Sequence, residues 1–239
     1  MTGVGGGSLM TPLLVIAFGF HPATAVGTDL LFASATKTVG TSVHGWRGTV
    51  EWRVVRRLAA GSIPAAVLML IALGVLGEQS KDTAAVISVV LGVMLIMTAV
   101  ATVFRARLLA FLTPRFGTLE GRALTVATVT LGAVLGALVS LTSVGAGALG
   151  ITALLVLYPN LSLSRLVGSD IAHAVPLTLV AGAGHWLLGS VNGALLVSLL
   201  AGSIPGVIVG SLISSRINER VLGLILATVL AVVGVRMLL

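Results

Sequence analysis

Long runs of apolar residues, separated by short charged or glycine-rich stretches, dominate the chain. Lys, Arg, Asp and Glu are absent from 1–28, 58–77, 83–104, 123–164 and 171–215. A bilayer core requires about 20 apolar residues per helix, and lipid offers no partner for free backbone groups. The pattern therefore predicts an all-α, polytopic membrane protein with about 8–9 membrane helices. The apolar segments are roughly 7–20, 23–44, 54–76, 83–104, 122–141, 146–158, 163–186, 193–213 and 218–238.

Composition narrows the class further. Of the 239 residues, 57% are hydrophobic and 9% are charged, whereas soluble domains carry about 25% charged residues. This excludes a soluble enzyme or a free DNA-binding domain, because a fold of this size leaves much of its surface exposed. The chain has no Cys, so it has no disulfide and no thiolate metal site. Its net charge of +7 is carried in short loops, which indicates membrane topology rather than nucleic-acid binding.

The sequence repeats itself at a nearly constant offset, which is 140 residues at first and 141 after one inserted residue. The matching ranges are 2–9 with 142–149, 26–29 with 167–170, 48–50 with 189–191 and 60–64 with 201–205. Low complexity can reproduce isolated glycine matches, but not a constant offset through Asp, His and Pro. We therefore expect a first repeat over 1–104, a basic cytoplasmic connecting loop over 105–121 and a second repeat over 122–239. The segment near 122–141 has no counterpart in the first repeat.

The loop cations predict that the two repeats have opposite orientations. The loop 45–57 carries four Arg residues, whereas its repeat partner 186–192 carries none. The segment count places 11 of the 14 Lys and Arg residues on one side, which the positive-inside rule makes cytoplasmic. Equivalent loops on opposite sides mean inverted repeats, an architecture typical of alternating-access transporters. The short segments at the glycine motifs are expected to be broken or re-entrant helices.

Ionisable residues within the apolar segments define candidate proton-coupling or gating positions, because such residues are costly in lipid and usually line a functional path. At about 100° per residue, Asp29 and His44 share one helix face. Asp170, His173 and His185 share the corresponding face of the second copy. The alternative is structural: the aspartates cap helices after a break, and the histidines satisfy buried carbonyl groups.

Lys37 is the one cation expected within the membrane, and it lies on the same face as Asp29. Its counterpart in the second copy is Thr178. A lone buried cation suits an anionic substrate.

Glycine runs precede the two short apolar segments. Glycine permits a broken backbone, and free N–H groups at a helix N-terminus favour anions. Close packing of helices through small residues is the alternative explanation. The candidate substrate-binding residues are Gly5, Gly6, Gly7, Thr28, Lys37, Thr142, Ser143, Gly145, Gly147 and Ser169.

Several stretches resemble the TauE/SafE sulfite exporter family of bacterial membrane proteins. They are Gly-Val-Gly-Gly-Gly-Ser-Leu-Met-Thr-Pro (3–12), Ala-Val-Gly-Thr-Asp-Leu-Leu-Phe-Ala (25–33), Thr-Lys-Thr-Val-Gly-Thr-Ser-Val-His (36–44), Gly-Thr-Val-Glu-Trp-Arg (48–53), Thr-Ser-Val-Gly-Ala-Gly-Ala-Leu-Gly (142–150) and Leu-Val-Gly-Ser-Asp-Ile-Ala-His-Ala-Val-Pro (166–176). The resemblance covers nearly the whole chain. It implies a multi-pass permease of the bacterial inner membrane that exports small sulfur-containing anions such as sulfite or sulfonates. Family members usually carry a helix before the first glycine motif, and the first repeat is expected to lack it.

The leading hypothesis is therefore a secondary transporter of small sulfur-containing anions that works by alternating access. The alternative is a passive anion channel of the same specificity. An enzyme is not expected: Ser169, Asp170 and His173 could suggest a triad, but side chains of consecutive helical residues diverge. Neither a cofactor nor a metal site is expected, and no P-loop occurs. The expected partners are a small anionic substrate, the lipid bilayer and a second copy in a homodimer, but no nucleic acid.

Overall fold

The computed structural model describes residues 7–46, 48–145, 147–214 and 219–239, without the side chains of 7, 8, 43, 44, 46, 204–214 and 219–220. Helices and short connections account for all of these residues. The helices are α1 (Gly7–Ile16), α2 (Pro22–Trp46), α3 (Trp52–Leu76), α4 (Lys81–Val103), α5 (Arg105–Phe116), α6 (Gly121–Thr142), α7 (Ala148–Leu157), α8 (Leu163–Leu187), α9 (Gly193–Ser214) and α10 (Glu219–Leu238). The all-α prediction is thus confirmed for the described residues.

Five helices in the described part of the chain are long and apolar enough to cross a membrane: α3, α4, α6, α8 and residues Val221–Leu238 of α10. They present large apolar side chains outward, including Val75, which is 83% exposed, and Leu187, which is 87% exposed. Such faces are stable only in contact with lipid or another apolar surface. The 25-residue α2 falls outside this set of five, and it is the helix that carries Asp29 and Lys37.

The sequence repeat has its counterpart in the helices. α1 and α7 each have 10 residues, and α2 and α8 each have 25 residues. Both α2 and α8 begin 141 residues apart, at Pro22 and Leu163. The stretch 105–121, expected to be a connecting loop, contains the helix α5, which has no buried residue.

The helices α2 and α8 cross in antiparallel directions. Gly27, near the start of α2, lies against His185 near the end of α8, whereas Gly40, late in α2, lies against Ile171 early in α8. A Cβ atom on Gly27 would lie 2.4 Å from the carbonyl oxygen of Ser190. Glycine is therefore required for the backbones to approach this closely.

Equivalent residues of the two copies make reciprocal contacts at the two ends of this crossing. The backbone N–H of Asn192 donates to Thr28 Oγ1 at 3.1 Å. The backbone N–H of Glu51 donates to Ser169 Oγ at 2.8 Å. Thr28 and Ser169 are 141 residues apart, as are Glu51 and Asn192. The Thr28 hydroxyl on α2 thereby holds the loop that follows α8, and the Ser169 hydroxyl on α8 holds the loop that follows α2.

The helix α6 packs on α3 through glycines that bring the two backbones into contact. A Cβ on Gly61 of α3 would lie 1.9 Å from the carbonyl oxygen of Val129, and one on Gly136 of α6 would lie 2.2 Å from that of Ser62. The position equivalent to Gly61 in the second copy is Gly202 of α9, whose Cβ would meet nothing within 4 Å. Among the described residues, the two copies therefore differ at this position, where the first is covered by α6.

Candidate functional site

A buried carboxylate of α2 lies against the short helix α1. Asp29 is fully buried, and its Oδ2 accepts a hydrogen bond of 2.7 Å from Thr11 Oγ1. Its Oδ1 has no hydrogen-bond partner among the residues that the structure describes. The hydroxyl of Ser143 lies beside this carboxyl group. Asp29 thus joins α1 and α2 near the end of α6.

The second buried carboxylate occupies the equivalent place in α8. Asp170 is 3% exposed, and a Cβ on Gly150 of α7 would lie 2.8 Å from its Oδ1. No described residue forms a hydrogen bond with this Oδ1. Both aspartates are the eighth residue of their helix, and Ser162 is the N-cap of α8. The alternative interpretation, that they cap helices, is therefore wrong.

Lys37 links these two carboxylates electrostatically. It is half-buried, and its ammonium group attracts the charges of both Asp170 and Asp29. It also lies within electrostatic range of His173, whose Nε2 is 2.8 Å from the hydroxyl of Ser62 on α3. Lys37 thus lies within electrostatic range of Asp29, Asp170 and His173, and we call these four residues the central cluster.

The backbone between α6 and α7 is broken at the second glycine motif. Ser143 has a left-handed φ of 57° and Gly145 a φ of 125°, and α7 begins directly after Gly147. Thr142 Oγ1 donates to the carbonyl of Leu138 at 2.7 Å and closes the end of α6. The buried hydroxyl of Ser143 has no partner among the described residues. The predicted helix break is present here, next to the central cluster.

His185 lies at the opposite end of α8 from Asp170, next to the start of α2, where Gly27 contacts it. It is 15 positions beyond Asp170 on α8, or about 22 Å along the helix axis. Its Nδ1 faces Glu78 Oε1, and its Nε2 is 2.8 Å from the carbonyl oxygen of Ser140. The alternative that a histidine satisfies a buried carbonyl therefore holds for His185. Sequence reasoning missed Glu78, although a lone carboxylate directly after an uncharged run was a usable signal.

The remaining predicted substrate-binding residues have other roles or lie outside the description. The hydroxyls of Thr28 and Ser169 hold backbone N–H groups at the α2–α8 crossing. Gly7 begins α1. Gly5, Gly6 and the side chain of His44 lie outside the described residues.

No group of three His, Cys, Asp or Glu residues that could hold a metal ion occurs within the described ranges. An apolar groove of about 590 Å³ opens between α2, α8 and α9, but the central cluster does not line it. Its lining residues are Leu31, Ser34, Ala35, Leu179, Ala183, Trp186, Leu187, Leu196 and Leu200. The groove therefore does not belong to the polar site.

Apolar helices of membrane-spanning length around a buried polar cluster define a polytopic helical membrane protein. The family model "Sulfite exporter TauE/SafE" matches residues 1–237. The chain therefore belongs to the TauE/SafE family and is a membrane transporter, in agreement with the resemblance noted in the sequence.

Two proteins of Bacillus subtilis (strain 168) are similar to the chain. The one named "Probable membrane transporter protein YjnA" is 38% identical over 215 residues, which cover 83% of each chain. The one named "Probable membrane transporter protein YunE" is 35% identical over 60 residues, or 25% of this chain and 22% of that protein. No solved structure matches the chain.

Proposed function

We propose that this protein carries small sulfur-containing anions, such as sulfite or organosulfonates, across the bacterial inner membrane as an exporter. The observation that carries the proposal is the central cluster, in which one ammonium group is attracted by two buried carboxylates beside a broken helix. A cation beside buried carboxylates and free N–H groups at a helix N-terminus both favour anions. The family description adds the sulfur chemistry.

The charges of the central cluster suggest how protons are coupled to transport. With both carboxylates ionised, Asp29 and Asp170 together outweigh the charge of Lys37 and repel a further anion. Protonation of either carboxyl group removes one of the two negative charges that attract Lys37. A substrate anion can then replace that carboxylate as the partner of Lys37. Anion binding and proton binding are then favourable together, which is a coupling of the kind that transporters use.

The alternating-access part of the proposal is supported by the antiparallel crossing of α2 and α8. Two equivalent helices that cross a membrane in opposite directions are related by an axis in the membrane plane, as inverted repeats are. The reciprocal bonds at Thr28 and Ser169 support this relation. Arg165 of the second repeat pairs at 3.7 Å with Glu51, which lies in the loop 45–57 that carries four Arg residues of the first repeat. This contact supports the positive-inside assignment.

The test uses the purified protein, first in a thermal-stability screen and then in proteoliposomes. Sulfite, thiosulfate, sulfate and sulfoacetate are compared with chloride, because a ligand that binds the folded form raises its stability. We expect stabilisation by a sulfur-containing anion and counterflow of the same labelled anion. Stabilisation by none of them contradicts the substrate class, and a flux without counterflow indicates the passive channel.

A further inference from the structure

A buried acid–base pair, Glu78 and His185, joins the loop between α3 and α4 to the end of α8. His185 is fully buried and Glu78 is 4% exposed. His185 Nε2 lies 2.8 Å from the carbonyl oxygen of Ser140. A carbonyl oxygen only accepts, so this ring nitrogen carries a hydrogen and donates it. Any further proton of the pair must therefore lie between Nδ1 and Glu78.

His185 Nδ1 faces Glu78 Oε1, and a hydrogen bond between these two atoms requires one proton. The proton resides either on the imidazole, giving an ion pair, or on the carboxyl group, giving a neutral pair. Without it, a nitrogen lone pair faces a carboxylate oxygen, and the two atoms repel each other. The contact is therefore stable only while it holds one proton.

We propose that the Glu78–His185 pair is a proton-binding site that closes this end of the transporter. One bound proton holds the α3–α4 loop against α8, and its release separates them. This inference rests on the alternating-access function proposed above. It adds a second proton site, about 22 Å along α8 from Asp170, and assigns Glu78 a gating role.

Burial makes the unprotonated pair unstable. Glu78 Oε2 is buried and has no hydrogen-bond partner among the described residues. A buried charge without a partner is strongly unfavourable, so proton loss favours a conformation in which water reaches Glu78. The neighbouring Gln79 Nε2 donates to Ser190 Oγ at 2.7 Å, and this bond is expected to break in the same movement.

Few other charged groups lie on the elements around the pair. Lys81 and Asp82 begin α4 and are both exposed. On α2, Asp29 follows two residues after Gly27 and binds Thr11 on α1. His21 precedes α2 and is half-buried. Neither α6 near Ser140 nor the described loop around Ser190 carries a charge, so the pair responds mainly to its own proton.

The pair also connects to the helix break. Ser140 is three residues before Ser143, where α6 ends in a left-handed conformation. His185 therefore donates to one of the last carbonyl groups of α6, which has no partner within its own helix. A movement of His185 changes the support of the segment that leads into Gly145 and α7.

The same offset of 141 residues relates His44 to His185 and Glu219 to Glu78 in the sequence; the side chains of His44 and Glu219 lie outside the described residues.

The absence of cysteine from the chain permits a direct test by single-cysteine labelling. Ser190→Cys replaces a fully buried residue beside the pair, and Lys81→Cys provides an exposed reference at the same end. The ratio of their labelling rates with a membrane-impermeant maleimide cancels the intrinsic pH dependence of the thiol. We expect this ratio to rise about tenfold per pH unit while the pair loses its one proton.

Glu78→Gln should abolish this rise, because its amide donates to Nδ1 and does not titrate. Asp82→Asn, which changes an exposed carboxylate nearby, should keep it. A ratio that does not change with pH in the protein with Glu78, or an equal rise in Glu78→Gln, overturns the proposal.

A second measurement needs neither substrate nor a mutated Glu78. In ¹⁵N-histidine spectra of the otherwise native protein, His185→Asn identifies the signals of His185. We expect a protonated Nε2 throughout the range and an Nδ1 that shares its proton only at low pH. A bare Nε2, or an Nδ1 signal that does not change with pH, overturns the proposal. Failure of all anions to stabilise the protein would instead refute the proposed substrate, and the spectra would still decide the proton site.

Discussion

Asp29 and Asp170 occupy equivalent positions of two equivalent helices, yet their surroundings differ. Asp29 accepts a hydrogen bond from Thr11 of the short helix α1. In the second copy, the matching hydroxyl of Thr152 on α7 donates to its own helix at Ala148, and Asp170 Oδ1 lies against Gly150. The duplication has kept the backbone crossing and changed the polar contacts. Lys37 therefore attracts two carboxylates whose hydrogen-bond partners differ.

The largest expected effect on transport is that of removing the ammonium group of Lys37. Lys37→Ala should lower transport about 100-fold, because loss of one member of a buried charge pair costs about 2–5 kcal/mol. Uptake of labelled anion into proteoliposomes measures it, with membrane insertion checked separately. Lys81→Ala, at an exposed position, should transport like the native protein. Native uptake by Lys37→Ala would remove the central cluster from the mechanism.

Two equivalent glycines, one packed against α6 and one with free space around it, should differ in how replacement by alanine changes the free energy of unfolding. Gly61→Ala should destabilise the fold by about 2–3 kcal/mol, because overpacking costs this much and its Cβ would lie 1.9 Å from a backbone oxygen of α6. Gly202→Ala, the equivalent change in α9, should shift stability by less than about 0.5 kcal/mol. Thermal unfolding in detergent compares them. Equal destabilisation would mean that α9 is also covered.

The two aspartates should respond unequally to neutralisation. Asp170→Asn should slow transport about tenfold, or about 1.4 kcal/mol, because Asp170 contributes more than Asp29 to the attraction on Lys37. Asp29→Asn should slow it less, since the amide oxygen still accepts from Thr11. Uptake rates at several pH values measure both variants, and Asp82→Asn is the exposed control. Equal rates for the two variants would contradict the asymmetry of the central cluster.

The sequence predicts the long apolar helices closely, because lipid allows few alternatives to a helix. The segment predicted at 163–186 is α8, Leu163–Leu187, and that predicted at 193–213 is α9, Gly193–Ser214. The break after Thr142 was also predictable, since glycines follow an apolar run. Helix α5 was not predicted, because its three Arg and Pro114 disrupt an apolar pattern; an amphipathic surface helix depends on its surroundings.

The sequence predicted which residue types form the site, but not which residues contact each other there. Helical periodicity places Asp170, His173 and His185 on one face of α8, and that face contacts different neighbours along its length. Periodicity within one helix carries no information about which loop approaches its end. The contact of Glu78 with His185, and the use of the Thr28 and Ser169 hydroxyls as acceptors for backbone N–H groups, arise only from the tertiary crossing.

The smallest expected effect tests whether the crossing itself is symmetric. Ser169→Ala and Thr28→Val each leave a backbone N–H unpaired, at Glu51 and Asn192 respectively. Each should cost about 1 kcal/mol, the typical net value of one hydrogen bond. The double variant should lose the sum, because distant sites contribute independently.

Thermal unfolding of the two single variants and of the double variant measures these losses. Ser198→Ala is the matched control, since this exposed hydroxyl bonds only within its own helix, to Ala194, and its removal should be neutral. A large loss at one site with none at the other would show that the crossing is held from one end only. That result would remove the reciprocal bonds as support for inverted repeats and leave the sequence offset, the loop charges and the antiparallel direction of α2 and α8.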